Sequence, residues 1–87
     1  MASTPYDQLT DDWSSVSRFT AIAAVDVLLS NPSSGIVYFA LTDSNTAPDL
    51  EMGRANPLRP KSGRPMQLRA GERLWMAGED AFAVIEV

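Results

Sequence analysis

Two segments of this 87-residue chain, Ile36-Val37-Tyr38-Phe39-Ala40-Leu41 and Leu74-Trp75-Met76-Ala77, are apolar at every position. Successive side chains of a strand point to opposite faces of its sheet, so a half-buried strand alternates apolar with polar and a strand covered on both faces does not. Both segments therefore offer apolar side chains to two layers. A chain this short stands near the lower limit for a self-sufficient core. Either it supplies the second layer itself or a neighbour does, and the pattern raises partnership before chemistry.

The usual staples of small domains are missing. Without cysteine there is no disulfide framework or thiolate metal site, and without histidine the commonest zinc ligand and general base are both absent. Ser-His and Cys-His nucleophilic pairs are excluded by composition. The adjacent carboxylates Asp11-Asp12 and Glu79-Asp80 point apart on helix or strand and match no calcium-loop spacing. Paired carboxylates for glycoside cleavage need a cleft that a chain of this size seldom builds. Gly35, Gly53, Gly63, Gly71 and Gly78 are scattered singly and read as turn glycines rather than a phosphate loop. The expectation is a protein with no enzymatic activity, no cofactor and no metal. No run approaches the roughly 20 apolar residues that span a bilayer. The start Met1-Ala2-Ser3-Thr4-Pro5 lacks the basic and apolar stretches of a signal peptide, so a protein made without export and without a membrane partner is expected.

Net charge is −4, which speaks against general binding to nucleic acid. The charges are unevenly placed. Asp7, Asp11, Asp12, Asp26, Asp43, Asp49 and Glu51 face Arg18 alone up to residue 51, whereas Arg54, Arg59, Lys61, Arg64 and Arg69 follow with no acid between Met52 and Gly71. A solvated loop would explain the basic run. A docking loop would too, meeting the acidic N-terminal segment of another copy or an acidic patch on a larger partner. No aromatic residue interleaves with these charges, so base stacking has no platform.

Residues 1–17 read as an arm preceding a single β domain at 18–87. Thr4-Pro5-Tyr6-Asp7 has the form of a helix start and predicts a short helical turn near Pro5 to Leu9. Tyr6 and Trp13 on this polar segment either anchor it to a partner or pack back on their own domain. Residues 18–30 allow an amphipathic helix, but Thr20, Ile22, Val25 and Val27 are β-branched and favour strands. The turn Asn31-Pro32-Ser33-Ser34-Gly35 then predicts a hairpin of Val25–Ser30 with Ile36–Thr42. Asp43 to Gly63 is proline-rich and predicts a long irregular loop, tacked down by Leu50, Met52 and Leu58. Met66–Leu68, Arg73–Ala77 and Ala81–Val87 read as a closing meander. Five or six short strands joined by Gly, Pro and Asn turns indicate an all-β fold, a small antiparallel sandwich or barrel. In it Trp75 is either core or an intersubunit contact, and of Tyr38 and Phe39, which point opposite ways, one is core and the other an interface candidate.

In order along residues 25–87, Asp26–Leu29, the Asn31–Gly35 turn, Ile36-Val37-Tyr38-Phe39-Ala40, Thr46-Ala47-Pro48 and Leu68-Arg69-Ala70-Gly71-Glu72-Arg73-Leu74-Trp75-Met76-Ala77-Gly78 resemble small β-rich structural proteins of tailed-bacteriophage virions. The acidic segment 1–17 falls outside the likeness. It implies a role in a repetitive assembly: a trimeric or otherwise oligomeric capsid decoration protein, found in the virion and assembled in the host cytoplasm. Its partners would be further copies of itself and a larger virion protein such as the major capsid protein. The alternative is a tail or fibre component acting as a carbohydrate-binding or adhesin module, with Trp13, Trp75, Tyr38 and Tyr6 as a sugar platform. For either role the candidate interface residues are Tyr6, Trp13, Tyr38, Arg54, Arg59, Lys61, Arg64 and Trp75.

Overall fold

A computed structural model describes residues 3–7, 9–49 and 51–87. The strands are β1 (Ser3–Tyr6), β2 (Arg18–Thr20), β3 (Val25–Asn31), β4 (Val37–Thr42), β5 (Asn56–Leu58), β6 (Ser62–Leu68), β7 (Arg73–Ala77) and β8 (Ala83–Glu86). β1 pairs with β8, β2 with β7, β3 with β6 and β4 with β5, all antiparallel. Ladders β3–β8 and β4–β7 join these pairs side by side into two four-stranded sheets, β1-β8-β3-β6 and β2-β7-β4-β5. A long antiparallel hairpin rolled on itself produces this order, and it is the order of a jelly roll. The chain is thus the antiparallel β-sandwich its turns and strands indicate, with eight strands in place of five or six.

Alternation explains which sheet holds what. In β3, Val27, Leu29 and Asn31 are buried while Asp26 and Leu28 are exposed, and in β8 Ala83 and Ile85 are buried. Val27, Leu29, Ala83 and Ile85 cluster with Val37, Phe39, Leu58, Leu74 and Met76 from the facing sheet, with Leu9, Ala21, Leu68 and Ala81 completing the core. Burying a side chain of this kind stabilises by about 1.5–3 kcal/mol over leaving it exposed. That strip between the sheets therefore dominates the stability of the fold.

The expected hairpin does not form. β3 and β4 lie in different sheets, and the turn between them is a corner that carries the chain across the sandwich. Asn31, 1% exposed, makes this possible: its Nδ2 donates to the carbonyls of Gly35 (2.8 Å) and Leu58 (2.9 Å), while Ser33 N and Oγ donate to its Oδ1. A buried amide satisfying backbone groups on two elements fixes a corner, where a hairpin would have paired those groups along a ladder. The expected meander is corrected on the same ground, because β6, β7 and β8 exist but alternate between sheets. At this end the corners press together. A Cβ on Gly35 would stand 2.8 Å from the Glu79 carbonyl oxygen, and one on Gly78 would stand 2.8 Å from that of Ile36. Only glycine permits so close an approach.

Three local expectations also change. Ser3–Tyr6 is an edge strand on β8, not a helical turn, because its backbone groups pair with the sheet that a four-residue helix could not use. Ile22 lies outside any strand: β2 ends at Thr20, and Ala21 exchanges backbone hydrogen bonds with Glu72 and Gly71. The segment Asp43 to Gly63 contains a 3-10 turn at Met52–Arg54, all of β5 and the start of β6. Leu58 is buried as expected and Met52 is half-buried, while Leu50 lies outside the described residues.

The sheet edges are β1, β6, β2 and β5. Three of them contain proline: Pro5 in β1, Pro57 in β5 and Pro65 in β6. Proline removes a donor and discourages the addition of a further strand. β6 is protected twice, since the Arg64 guanidinium lies 5.7 Å from the centre of the Phe39 ring, turned onto the core.

Candidate interaction surfaces

Trp75 and Ala77 alternate with the core residues Leu74 and Met76, so they belong to the outer side of their sheet, yet Trp75 is only 3% exposed. The chain covers this face itself. Arg18 on the neighbouring strand holds its guanidinium carbon 5.1 Å from the Trp75 ring centre, a cation–π contact, and the indole Nε1 donates to Thr42 Oγ1 at 2.7 Å. The 3-10 turn at Ser15–Ser17 lies on β7 and the one at Met52–Arg54 on β4. The first is capped by the Ser14 hydroxyl, which accepts from Val16 N, and the segment before it is pinned by Gly78 N donating to the Thr10 carbonyl at 2.8 Å.

Between these two covering segments opens a groove of about 700 Å³, lined by Trp13, Met52, Pro48, Arg54 and the carboxylates Asp11, Asp12, Asp49 and Glu51 among others. Asp12 Oδ1 accepts from Trp13 N at 3.1 Å, which sets the local turn. Among the described residues no three carboxylates gather closely enough to hold a metal ion. The groove suits recognition of polar or cationic groups beside an aromatic side chain.

The eight interface candidates are dispersed. Trp13 and Arg54 meet in the groove. Tyr38 lies half-buried on the outer side of the same sheet, between Ala77 and Pro57 in register. Tyr6 packs against the core from the opposite sheet, and burial pushes its phenol above the ordinary value of 10.0. Trp75 is enclosed within the chain. Arg59 and Lys61 form the β5–β6 turn, where Lys61 adopts φ +62 and donates from Nζ to the Pro32 carbonyl at 2.6 Å. Arg64 lies along the β6 edge. A sugar platform of all four aromatics is therefore not assembled: Tyr6 and Trp75 are turned into the protein.

Sequence reasoning missed the groove carboxylates as a group and the exposed apolar residues. Ile22 is 94% exposed and Val16 73%, the two most exposed large hydrophobic side chains among the described residues. The acidic excess of the first half was the one available signal for the groove. The fold defines the class, an eight-stranded jelly-roll sandwich closed by its own loops. No family model, curated protein or solved structure is similar enough to this chain to match it.

Proposed function

We propose that this protein is a non-enzymatic structural component of a bacteriophage virion, an oligomeric capsid decoration protein that attaches to a larger shell protein through its loops. The observation that carries the reading is a division of roles. The strands are spent on closing a core, while the charges of the groove and of the Arg59–Lys61 turn stand at the surface, as do the apolar side chains of Val16 and Ile22. Jelly rolls recur in viral capsid and lectin domains, an analogy of fold that agrees with the role. Co-sedimentation of the purified chain with phage heads lacking it tests the proposal. Binding at micromolar concentration that Arg59→Glu with Lys61→Glu abolishes is expected, and absence of binding overturns it.

The adhesin alternative loses Tyr6 and Trp75 and keeps Trp13 in the groove, with Tyr38 half-buried on the same sheet. Trp13 beside carboxylates and Arg54 has the composition of a sugar subsite. Glycan-array binding lost in Trp13→Ala would favour that reading over shell attachment.

A further inference from the structure

We infer that β2 is a contact with a second copy of this chain, in which two β2 strands pair antiparallel about Phe19. The inference rests on the homo-oligomeric part of the proposed function and is independent of the virion part.

The four sheet edges are not treated alike. β1, β5 and β6 each contain a proline, and β2, Arg18-Phe19-Thr20, contains none. An edge strand with free backbone groups is a template for another strand. In the ladder with β7, Phe19 faces Leu74, and one step further on Ala21 N donates to the Glu72 carbonyl at 2.9 Å. Backbone groups of an antiparallel edge strand point alternately to the partner and away. Phe19 and Ala21 thus turn theirs to β7, and Arg18 and Thr20 turn theirs outward. Thr20 is exposed, so the outward row is accessible.

Three residues of ladder alone make a weak contact, but β2 is flanked on both sides by apolar side chains. Val16 precedes it and Ile22 follows it, the same two residues that stand out by their exposure. An antiparallel pairing centred on Phe19 sets Arg18 opposite Thr20 of the second copy and Thr20 opposite its Arg18. Their outward groups then supply the intercopy hydrogen bonds. Val16 belongs to the 3-10 turn Ser15–Ser17 that leads into β2 and Ile22 to the bend that leaves it, so the same antiparallel arrangement sets the entry turn of one copy beside the exit bend of the other. No arginine faces arginine, whereas parallel pairing in register would set Arg18 on Arg18. The patch is complementary to itself under a two-fold axis, the condition for an isologous dimer that closes without forming fibres. The two β2-β7-β4-β5 sheets would continue into one across the axis.

Sedimentation equilibrium of the purified chain from micromolar to millimolar concentration should show a monomer–dimer equilibrium. Thr20→Pro removes only an outward donor and gives β2 the device the other edges carry; it should weaken association by roughly tenfold or more while leaving the thermal midpoint near that of the parent. Ile22→Asp, at a side chain the fold does not use, should do the same. The chain has no cysteine, so register can be read directly. An oxidised mixture of the Val16→Cys and Ile22→Cys variants should cross-link, and neither variant alone should. A monomer throughout the range, dimerisation indifferent to both substitutions, or cross-linking of each cysteine variant with itself would overturn the inference. A chain that binds phage heads and stays monomeric overturns this contact and leaves the virion role standing.

Discussion

On the outer side of the β1-β8-β3-β6 sheet, Pro5, Asp26, Leu28 and Gln67 are exposed and Val84 and Glu86 half-exposed; on the outer side of β2-β7-β4-β5, Ala40, Trp75 and Ala77 are buried. The backbones of both sheets obey the same pleat. What differs is the loop traffic: the segment between β1 and β2 and the long β4–β5 connection both cross the second sheet and lay a 3-10 turn on it. Unbroken apolarity in Leu74–Ala77 of β7, and in β4 up to Ala40, is thus the sequence trace of a third layer made from the chain's own loops, while Leu41 stays 46% exposed. A neighbour is not needed to cover Trp75.

The contrast can be broken most directly at Trp75. If the loops form a true layer, Trp75→Ala costs about 3–5 kcal/mol, as in a core, and urea denaturation will show it; a loss no larger than that of Val84→Ala on the other sheet would mean that the loops only rest on the surface. Next in size is the corner that sends β3 and β4 to opposite sheets. Asn31→Ala takes the amide donor from the Gly35 and Leu58 carbonyls and the acceptor from Ser33 N and should cost about 1–3 kcal/mol for the buried groups left short of a partner, measured by the shift of the denaturation midpoint at constant slope.

At the rim of the first sheet, Tyr6 supplies a pH test. Its raised phenol pKa comes from desolvation on burial, so the folded state keeps a proton that the unfolded state releases. Stability from this group is complete below the unfolded value of about 10 and declines as pH rises through the folded value. Urea midpoints should therefore fall more steeply in the parent than in Tyr6→Phe above that pH, and equal slopes would mean the phenol is solvated. The smallest effect is expected at Leu28, exposed on the outer side of the first sheet. Leu28→Ala should change stability by no more than about 0.5 kcal/mol; a larger loss by thermal denaturation would show that this face is covered after all.

Much of the fold is legible in residue patterns. The β-branched residues mark β3 and β8, the apolar run marks β4, and Gly35, Gly71 and Gly78 mark turns between strands, whereas Gly63, expected in a turn, lies within β6 opposite Ser30. Pairing is where the reading fails, for a definite reason. A five-residue turn can close a hairpin or turn a corner, and the choice at Asn31 depends on Leu58, a residue 27 positions away. Of the interface candidates, Trp13 and Arg54 do converge, but the carboxylates that make their groove come from two loops whose meeting no local pattern announces. Tyr6, which the sequence leaves open between a partner and its own domain, packs against the core because its strand takes the open side of β8.

Sequence alone determined that the chain is built of short strands around an apolar core and that β4 and β7 offer apolar side chains to both faces. It also excluded the side chains of cysteine and histidine chemistry. These are properties of composition and of a period of two, which a linear string preserves. The tertiary structure alone decided the pairing of first strand with last, which loops cover Trp75, and which sheet edge was left without a proline. Each of those depends on contacts between residues far apart in the chain, and long-range contacts are selected by the packing of the whole molecule.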